Sequence, residues 1–263
     1  MAQSHPDKRT VKAVANTLEI IKTIREQNGA TVSELADRLE LSASSVCPHL
    51  ATLEEHGYVV QRGDTYQLGP QFLSLGDYVR NHYSIYRQAR SEVDSLARET
   101  GECAHFIIEH QGREYTVYEA FGDDAVGMDF YVENREKPRP QLHCTAAGKA
   151  ILAHLPDVRV EQIIADNGLP APTDNTITDP DELRAELEVV RERGYAVNDE
   201  EEVARLRAVG SPILGANGEV LGSVSISAPT SRLDDEALHG EFAELVIEAS
   251  NLIEIDHQLE NGD

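Results

Sequence analysis

Apolar residues in the first quarter of the chain recur every three to four positions and then switch to alternation, which outlines a small module. Residues 11–28 carry Val14, Leu18, Ile20, Ile21 and Ile24 along an amphipathic helix that stops at Asn28-Gly29. Thr31 heads a second short helix, and Glu34 three residues on completes a capping box. Its hydroxyl and carboxylate satisfy N–H groups that a helix start leaves open. Leu41-Ser42 opens a third helix, closed by Gly57. Tyr58-Val59-Val60 and Tyr66-Gln67-Leu68 then read as short strands joined by the turn chemistry of Arg62-Gly63-Asp64. Two helices with a tight break, followed by a strand pair, predict a winged helix-turn-helix over residues 31–68.

The pattern beyond it is mixed. A helix over roughly 70–83 carries Phe72, Leu73, Leu75 and Val79, which suits a linker helix or a dimer seam. A helix over 86–99 follows, then alternating runs at 103–109 and 113–120 around Gln111-Gly112. Helices are expected from Thr145 to Leu155 and from Asp179-Pro180 to Gly194. Ala216-Asn217-Gly218 turns into a strand at 219–228, and an amphipathic helix at 234–257 follows. Strands flanked by a few helices predict an α+β sensory domain and not a doubly wound sheet. The expected division is 1–69 for the winged helix-turn-helix, 70–85 for the linker helix and 86–263 for the sensory domain.

Charge sharpens this division. The 263 residues hold 47 acidic and 23 basic side chains, only five of them lysine, for a formal net charge of −24. Such a surface keeps a protein soluble in concentrated salt, where screening removes its self-repulsion. The source expected is a salt-in organism such as a halophilic archaeon. Residues 1–70 nevertheless carry 7 basic and 9 acidic side chains, close to neutrality, while the remainder holds nearly all the excess. That partition is expected if the first part alone must approach phosphate. The chain has no apolar run of about 18 residues and opens on no signal sequence, so a cytoplasmic protein without a membrane partner is expected. Cys47, Cys103 and Cys144 are odd in number and far apart, which suits reduced thiols.

On the third helix, at about 100° per residue, Val46, Leu50 and Leu53 share one face and turn to the core. Ser44, Pro48, Ala51 and Glu55 lie opposite, flanked by Ser45, Cys47 and Thr52. Small residues let a helix sit deep in a major groove, where hydroxyls meet base edges or phosphates. Candidate DNA contacts are therefore Ser42, Ser44, Ser45, Cys47 and Thr52, with Arg9, Lys12 and wing residue Arg62, and also Lys8, for phosphate. His49, at the edge of the buried side, is expected to be partly packed. Pro48 removes a helix hydrogen bond, so the helix either begins late or kinks there. A nearly neutral winged helix in so acidic a protein also fits protein–protein assembly without DNA.

Leu142 to Leu152 is the second informative segment. Thr145 can cap a helix whose first residues, Ala146, Ala147 and Gly148, are too small to cover the free N–H groups. Either a carboxylate is held there or the helix packs closely on a sheet through its small residues. Gly148-Lys149 is not a P-loop, because the required upstream glycine is missing. Ser223, Ser225 and Ser227 alternate with Val224, Ile226 and Ala228, so three hydroxyls share a sheet face that is either solvated or lines a polar pocket. The carboxylates after Asn198 read as solvated. No GxSxG, HExxH or Ser-His-Asp order occurs, so catalysis is not expected. The Cys103/His105 and His143/Cys144 pairs give no convergent metal set, and no cofactor is expected.

Taken in order, these segments resemble the IclR family of transcriptional regulators over nearly the whole chain. The matching runs are Leu50-Ala-Thr-Leu53, Gly57-Tyr-Val59, Tyr66-Gln-Leu-Gly69, Cys144-Thr-Ala-Ala-Gly-Lys-Ala150, Arg193-Gly-Tyr-Ala-Val197 with Asp199-Glu-Glu201, and Val224-Ser-Ile-Ser-Ala-Pro229. The resemblance implies a GAF-like effector domain, a homodimer or homotetramer, and a double-stranded operator of dyad symmetry. It implies an effector pocket at Ala146, Ala147, Asn198, Ala208, Ser225 and Ser227, for a sugar, sugar acid or small organic acid controlling a catabolic operon. The chain departs from the family at Ala43 and Pro48, where basic residues are usual, and at Asn198, where an acid is common. An effector less dependent on an accepting carboxylate follows from the latter.

Overall fold

The computed structural model describes residues 10–127 and 139–261 of the chain. Two compact units divide between Arg80 and Asn81.

The first unit runs α1 (Lys12–Glu26), β1 (Ala30–Thr31), α2 (Val32–Arg38), α3 (Ala43–Glu55), β2 (Val59–Arg62), β3 (Thr65–Leu68) and α4 (Gln71–Asn81). The three strands form a small antiparallel sheet in the order β1-β3-β2, and Arg62 pairs with Thr65 across a two-residue turn. The capping box of Thr31 and Glu34 is present. Ile20, Ile24, Leu35, Val46, Leu50 and Val59 make the core; burying each removes apolar surface worth about 1.5–3 kcal/mol. Val14 and Leu18, expected on the buried side of α1, are exposed instead. At about 100° per residue they lie more than 100° from the Ile20–Ile24 direction, together with Val11. The helix thus carries two apolar stripes, and only one reaches the core. In α4 no residue is buried, and Leu73, Leu75, Tyr78 and Val79 are exposed.

The second unit is built on a five-stranded antiparallel sheet of order β5-β4-β8-β7-β6. Its strands are β4 (Cys103–His110), β5 (Arg113–Phe121), β6 (Ala196–Asp199), β7 (Leu206–Leu214) and β8 (Val220–Pro229). The β4–β5 turn uses Gln111 and Gly112 at φ 54 and 73, the left-handed pair that tight hairpins require. Strand alternation then sorts the two faces. Ala104, Phe106 and Ile108 of β4 and Val224, Ile226 and Ala228 of β8 enter one core with α5 (Tyr86–Thr100) and the C-terminal helix. The other face is covered by α6 (Ala146–Leu152), which Thr145 caps, with α7 (Asp157–Asn167) and α8 (Pro180–Arg193) outside it.

Two expectations are corrected here, and one helix was not expected. The helix from Thr145 ends at Leu152 and not at Leu155. The helix expected at 234–257 is two, α9 (Asp235–His239) and α10 (Glu241–Asn261), because Gly240 at φ −107 and ψ −108 leaves helical space. α7 had no expectation: its apolar positions Val160 and Ile163 are too few to stand out from an acidic run.

Candidate functional site

α3 starts on schedule, with Ser42 Oγ accepting from the Ser45 N–H at 3.2 Å. It continues through Pro48 to Glu55, so the proline neither delays nor ends it. Pro48 falls in the second helical turn, where it deletes one bond, that to the Ser44 carbonyl. Val46, Leu50 and Leu53 are buried as the wheel requires, while Ser42, Ser44, Cys47, Pro48 and Thr52 are exposed and Ser45 is half-buried. Ser42 and Ser44 hydroxyls lie 2.9 Å apart, and the Thr52 hydroxyl donates to the Pro48 carbonyl. His49 is half-buried, with Nδ1 2.8 Å from Thr17 Oγ1. Lys22 and Arg38 are tied to Glu19 and Glu26. Lys12 and Arg62 are exposed and, among the described residues, make no ion pair. Lys8 and Arg9 lie outside the described residues.

The second site lies under α6. Ala146, Ala147, Asn198, Ala208, Ser225 and Ser227 all line one partly open cavity of about 30 Å³, room for one or two waters. Sheet register explains the convergence: Ser225 opposes His105 and Gly210, and Ser227 opposes Cys103 and Ala208. Gly210 lets α6 approach, since a Cβ there would stand 3.1 Å from the Ala146 carbonyl carbon and the Ala147 nitrogen. Close packing and pocket lining, the two readings of the small residues, therefore hold together: Ala147 also packs with Ile107 and Ile151.

Three wall residues, Glu114, Glu119 and Arg139, carried no expectation, and His105 and Glu202 line the cavity beside them. The Thr145 hydroxyl donates to Glu114 Oε2 at 2.5 Å and accepts from the Gly148 N–H at 2.9 Å. The Arg139 guanidinium donates to both Glu114 and Glu202. Burial works against its charge, but the two carboxylates prevail and raise its pKa. Glu202 is pushed above the usual carboxylate range by burial, with Arg139 opposing. His105 is lowered to about 3, chiefly by burial and then by the Arg139 charge, and is neutral. Burial also raises the Cys144 thiol, which keeps it protonated.

The carboxylates after Asn198, expected to be solvated, are corrected: Glu201 is buried against Lys149, and Glu202 lines the cavity. Asn198 is 1% exposed; its Oδ1 accepts from the Glu201 N–H at 2.8 Å, and among the described residues its Nδ2 has no hydrogen-bond partner. The cavity is thus rich in carboxylates even though position 198 is an amide. Among the described residues, no group of three or more His, Cys, Asp or Glu could hold a metal ion, and no helix is long and apolar enough to cross a membrane.

Residues 13–63 match the IclR helix-turn-helix domain, and residues 78–255 match the bacterial transcriptional regulator IclR C-terminal domain. The chain is 41% identical over 255 residues to the probable HTH-type transcriptional regulator ArcR of Halobacterium salinarum, covering 97% of each. It is 30% identical over 204 residues to the glycerol operon regulatory protein of Streptomyces coelicolor, covering 77% of this chain and 78% of that one. The crystal structure of the Thermotoga maritima IclR superposes with a TM-score of 0.75 at 28% identity, over 94% of this chain and 98% of that one. From its winged helix to its GAF-like domain, the chain belongs to the IclR family of transcriptional regulators.

Proposed function

We propose that this chain binds a double-stranded operator through α3 and the β2–β3 wing, and that a small polar effector under α6 sets its operator affinity. One observation carries the reading: residues from α6, β6, β7 and β8 converge on one small cavity. Ser44, Cys47, Thr52, Lys12 and Arg62 supply the contacts to DNA, the first three in the groove and the last two on phosphate. Control of a catabolic operon is supported by likeness to the glycerol operon regulatory protein.

The molecule works as a homodimer or a dimer of dimers. The exposed stripes of α1 and α4 supply apolar surface for that association, which soluble monomers seldom leave open. Residues 70–85 act as the linker between the operator-binding and effector-binding parts. The effector acts by binding one arrangement of the paired recognition helices more tightly than the other, which any ligand-driven shift requires. The acid-rich composition supports life in a salt-filled cytoplasm.

Gel retardation with the DNA flanking the gene tests the reading. One fragment should be retarded at nanomolar to micromolar protein, and a metabolite should shift that midpoint. Retardation of no fragment would leave the winged helix as an assembly module.

A further inference from the structure

The cavity under α6 has an unusual charge inventory for a site expected to take a sugar acid or organic acid. Among the described residues its walls carry three carboxylates, Glu114, Glu119 and Glu202, and one guanidinium, Arg139. Arg139 already donates to two of those carboxylates, Glu114 and Glu202, and itself lines the cavity. An entering anion would have to displace a carboxylate from Arg139 in a region where water screens little. An entering cation has only to take the place of a group that is already there.

We infer that this cavity is a slot for a cationic nitrogen, filled in the unliganded chain by Arg139 as an internal ligand, and that the effector carries an ammonium or guanidinium group that displaces it. The inference rests on the effector reading given above and names the ligand class of that site. Two features support it besides the acids. The first is Asn198, whose buried Nδ2 donor has no partner among the described residues. With the hydroxyls of Ser225 and Ser227 on the same cavity, it asks for an acceptor oxygen on the ligand. A metabolite with a cationic nitrogen and a carboxylate or hydroxyl oxygen satisfies both requirements.

The second feature is how Arg139 is held. Its backbone is fixed beside β5, with the Glu114 N–H donating to the Arg139 carbonyl at 2.7 Å and the Arg139 N–H returning a bond at 3.0 Å. Its side chain is 19% exposed, so it reaches solvent from the cavity mouth. The guanidinium can leave while the backbone stays in place. Release of Glu114 would be felt at once by the Thr145 hydroxyl, and through it by the cap of α6.

The test uses the full chain and two minimal probes, methylguanidinium and acetate, at matched ionic strength. Methylguanidinium should raise the melting temperature of Arg139→Ala saturably by several degrees. It should do nothing for Arg139→Ala combined with Glu114→Gln and Glu202→Gln. The wild type should need at least tenfold more probe, because Arg139 competes. If Arg139→Ala does not fold, Arg139→Ser replaces it. Indifference of the single variant to methylguanidinium would overturn the inference. So would stabilisation of the wild type by acetate that disappears with Arg139, since the arginine would then be an anion receptor. Operator retardation by the unliganded chain does not depend on this slot, so failure of the slot and failure of the regulator reading register in separate assays.

Discussion

Lys149 Nζ donates to Glu201 Oε1 with both side chains buried, joining the middle of α6 to the loop that follows β6. Asn198 closes the same loop by accepting from the Glu201 N–H. The position of Asn198 and Glu202 in the cavity wall is therefore tied to the helix that roofs it. Burial raises the Glu201 pKa while Lys149 opposes, so the pair holds a charge that the site would otherwise lose.

Lys149→Met should accordingly cost about 3–5 kcal/mol of stability near neutral pH, the usual penalty for leaving half of a buried ion pair. Adding Glu201→Gln should recover much of it, since the orphaned charge goes with it. The loss should also shrink as pH falls, because Glu201 can then take up a proton. Denaturant unfolding of the two variants and the wild type measures this; equal stability of Lys149→Met and wild type would show that the pair contributes nothing.

Arg62 ends β2 beside the wing turn, exposed and without an ion pair among the described residues. A wing cation that meets phosphate contributes to affinity without reading sequence. Arg62→Ala should weaken binding to operator and to unrelated DNA by similar factors. The plot of log affinity against log salt should flatten by about 1. A selective loss on the operator would place Arg62 on a base instead.

What the sequence made legible follows from how local each feature is. Thr31 with Glu34, Ser42 at the start of α3, Thr145 before α6 and Asp179-Pro180 before α8 are all caps, written within four residues, and each stands where it was expected. The serine alternation in β8 told which side chains share a face, but not whether that face was wet. The family resemblance supplied the pocket residues that no local pattern joins. Glu114 and Glu119 stayed hidden because nothing in β5 distinguishes an inward acid from an outward one, and in a chain this acidic a carboxylate is a poor signal; Arg139 stayed hidden because it lies outside every predicted element and meets β5 at Glu114. α1 misled for another reason: two apolar stripes on one helix give a wheel no unique core direction.

His105 shows a consequence of burying a titratable ring in that cavity wall. Its pKa is lowered from 6.5 to about 3 in the folded chain. The unfolded chain therefore binds a proton below about pH 6.5 that the folded chain refuses. Stability from this group is complete above pH 6.5 and falls by about 1.4 kcal/mol per unit as pH drops toward 3. Glu202, whose pKa is raised, acts in the opposite direction in the same range, so the wild-type profile shows the sum. The difference between wild type and His105→Gln isolates the histidine. Between pH 6 and pH 4 that difference should move by about 2–3 kcal/mol in favour of the variant, measured by urea unfolding at each pH. A parallel pair of profiles would mean that the ring takes up its proton in place.

Pro48 is the sharpest test of α3, because helix continuity and DNA contact predict different things for it. The helix runs unbroken through Pro48, whose ring is exposed and fills no core position. Pro48→Ala restores the N–H that would bond the Ser44 carbonyl and removes the ring that crowds that turn. Relief of up to about 3 kcal/mol is offset by about 0.4–1 kcal/mol, because alanine gives the unfolded chain more freedom. A net gain of about 2 kcal/mol should appear as slower hydrogen exchange of the α3 amides in the full chain. Operator affinity then separates two roles. If the ring or the open Ser44 carbonyl touches DNA, affinity falls although the helix is firmer; if neither does, a firmer helix binds at least as well. Faster exchange in Pro48→Ala would contradict the geometry itself, since it would require the proline to hold the helix together.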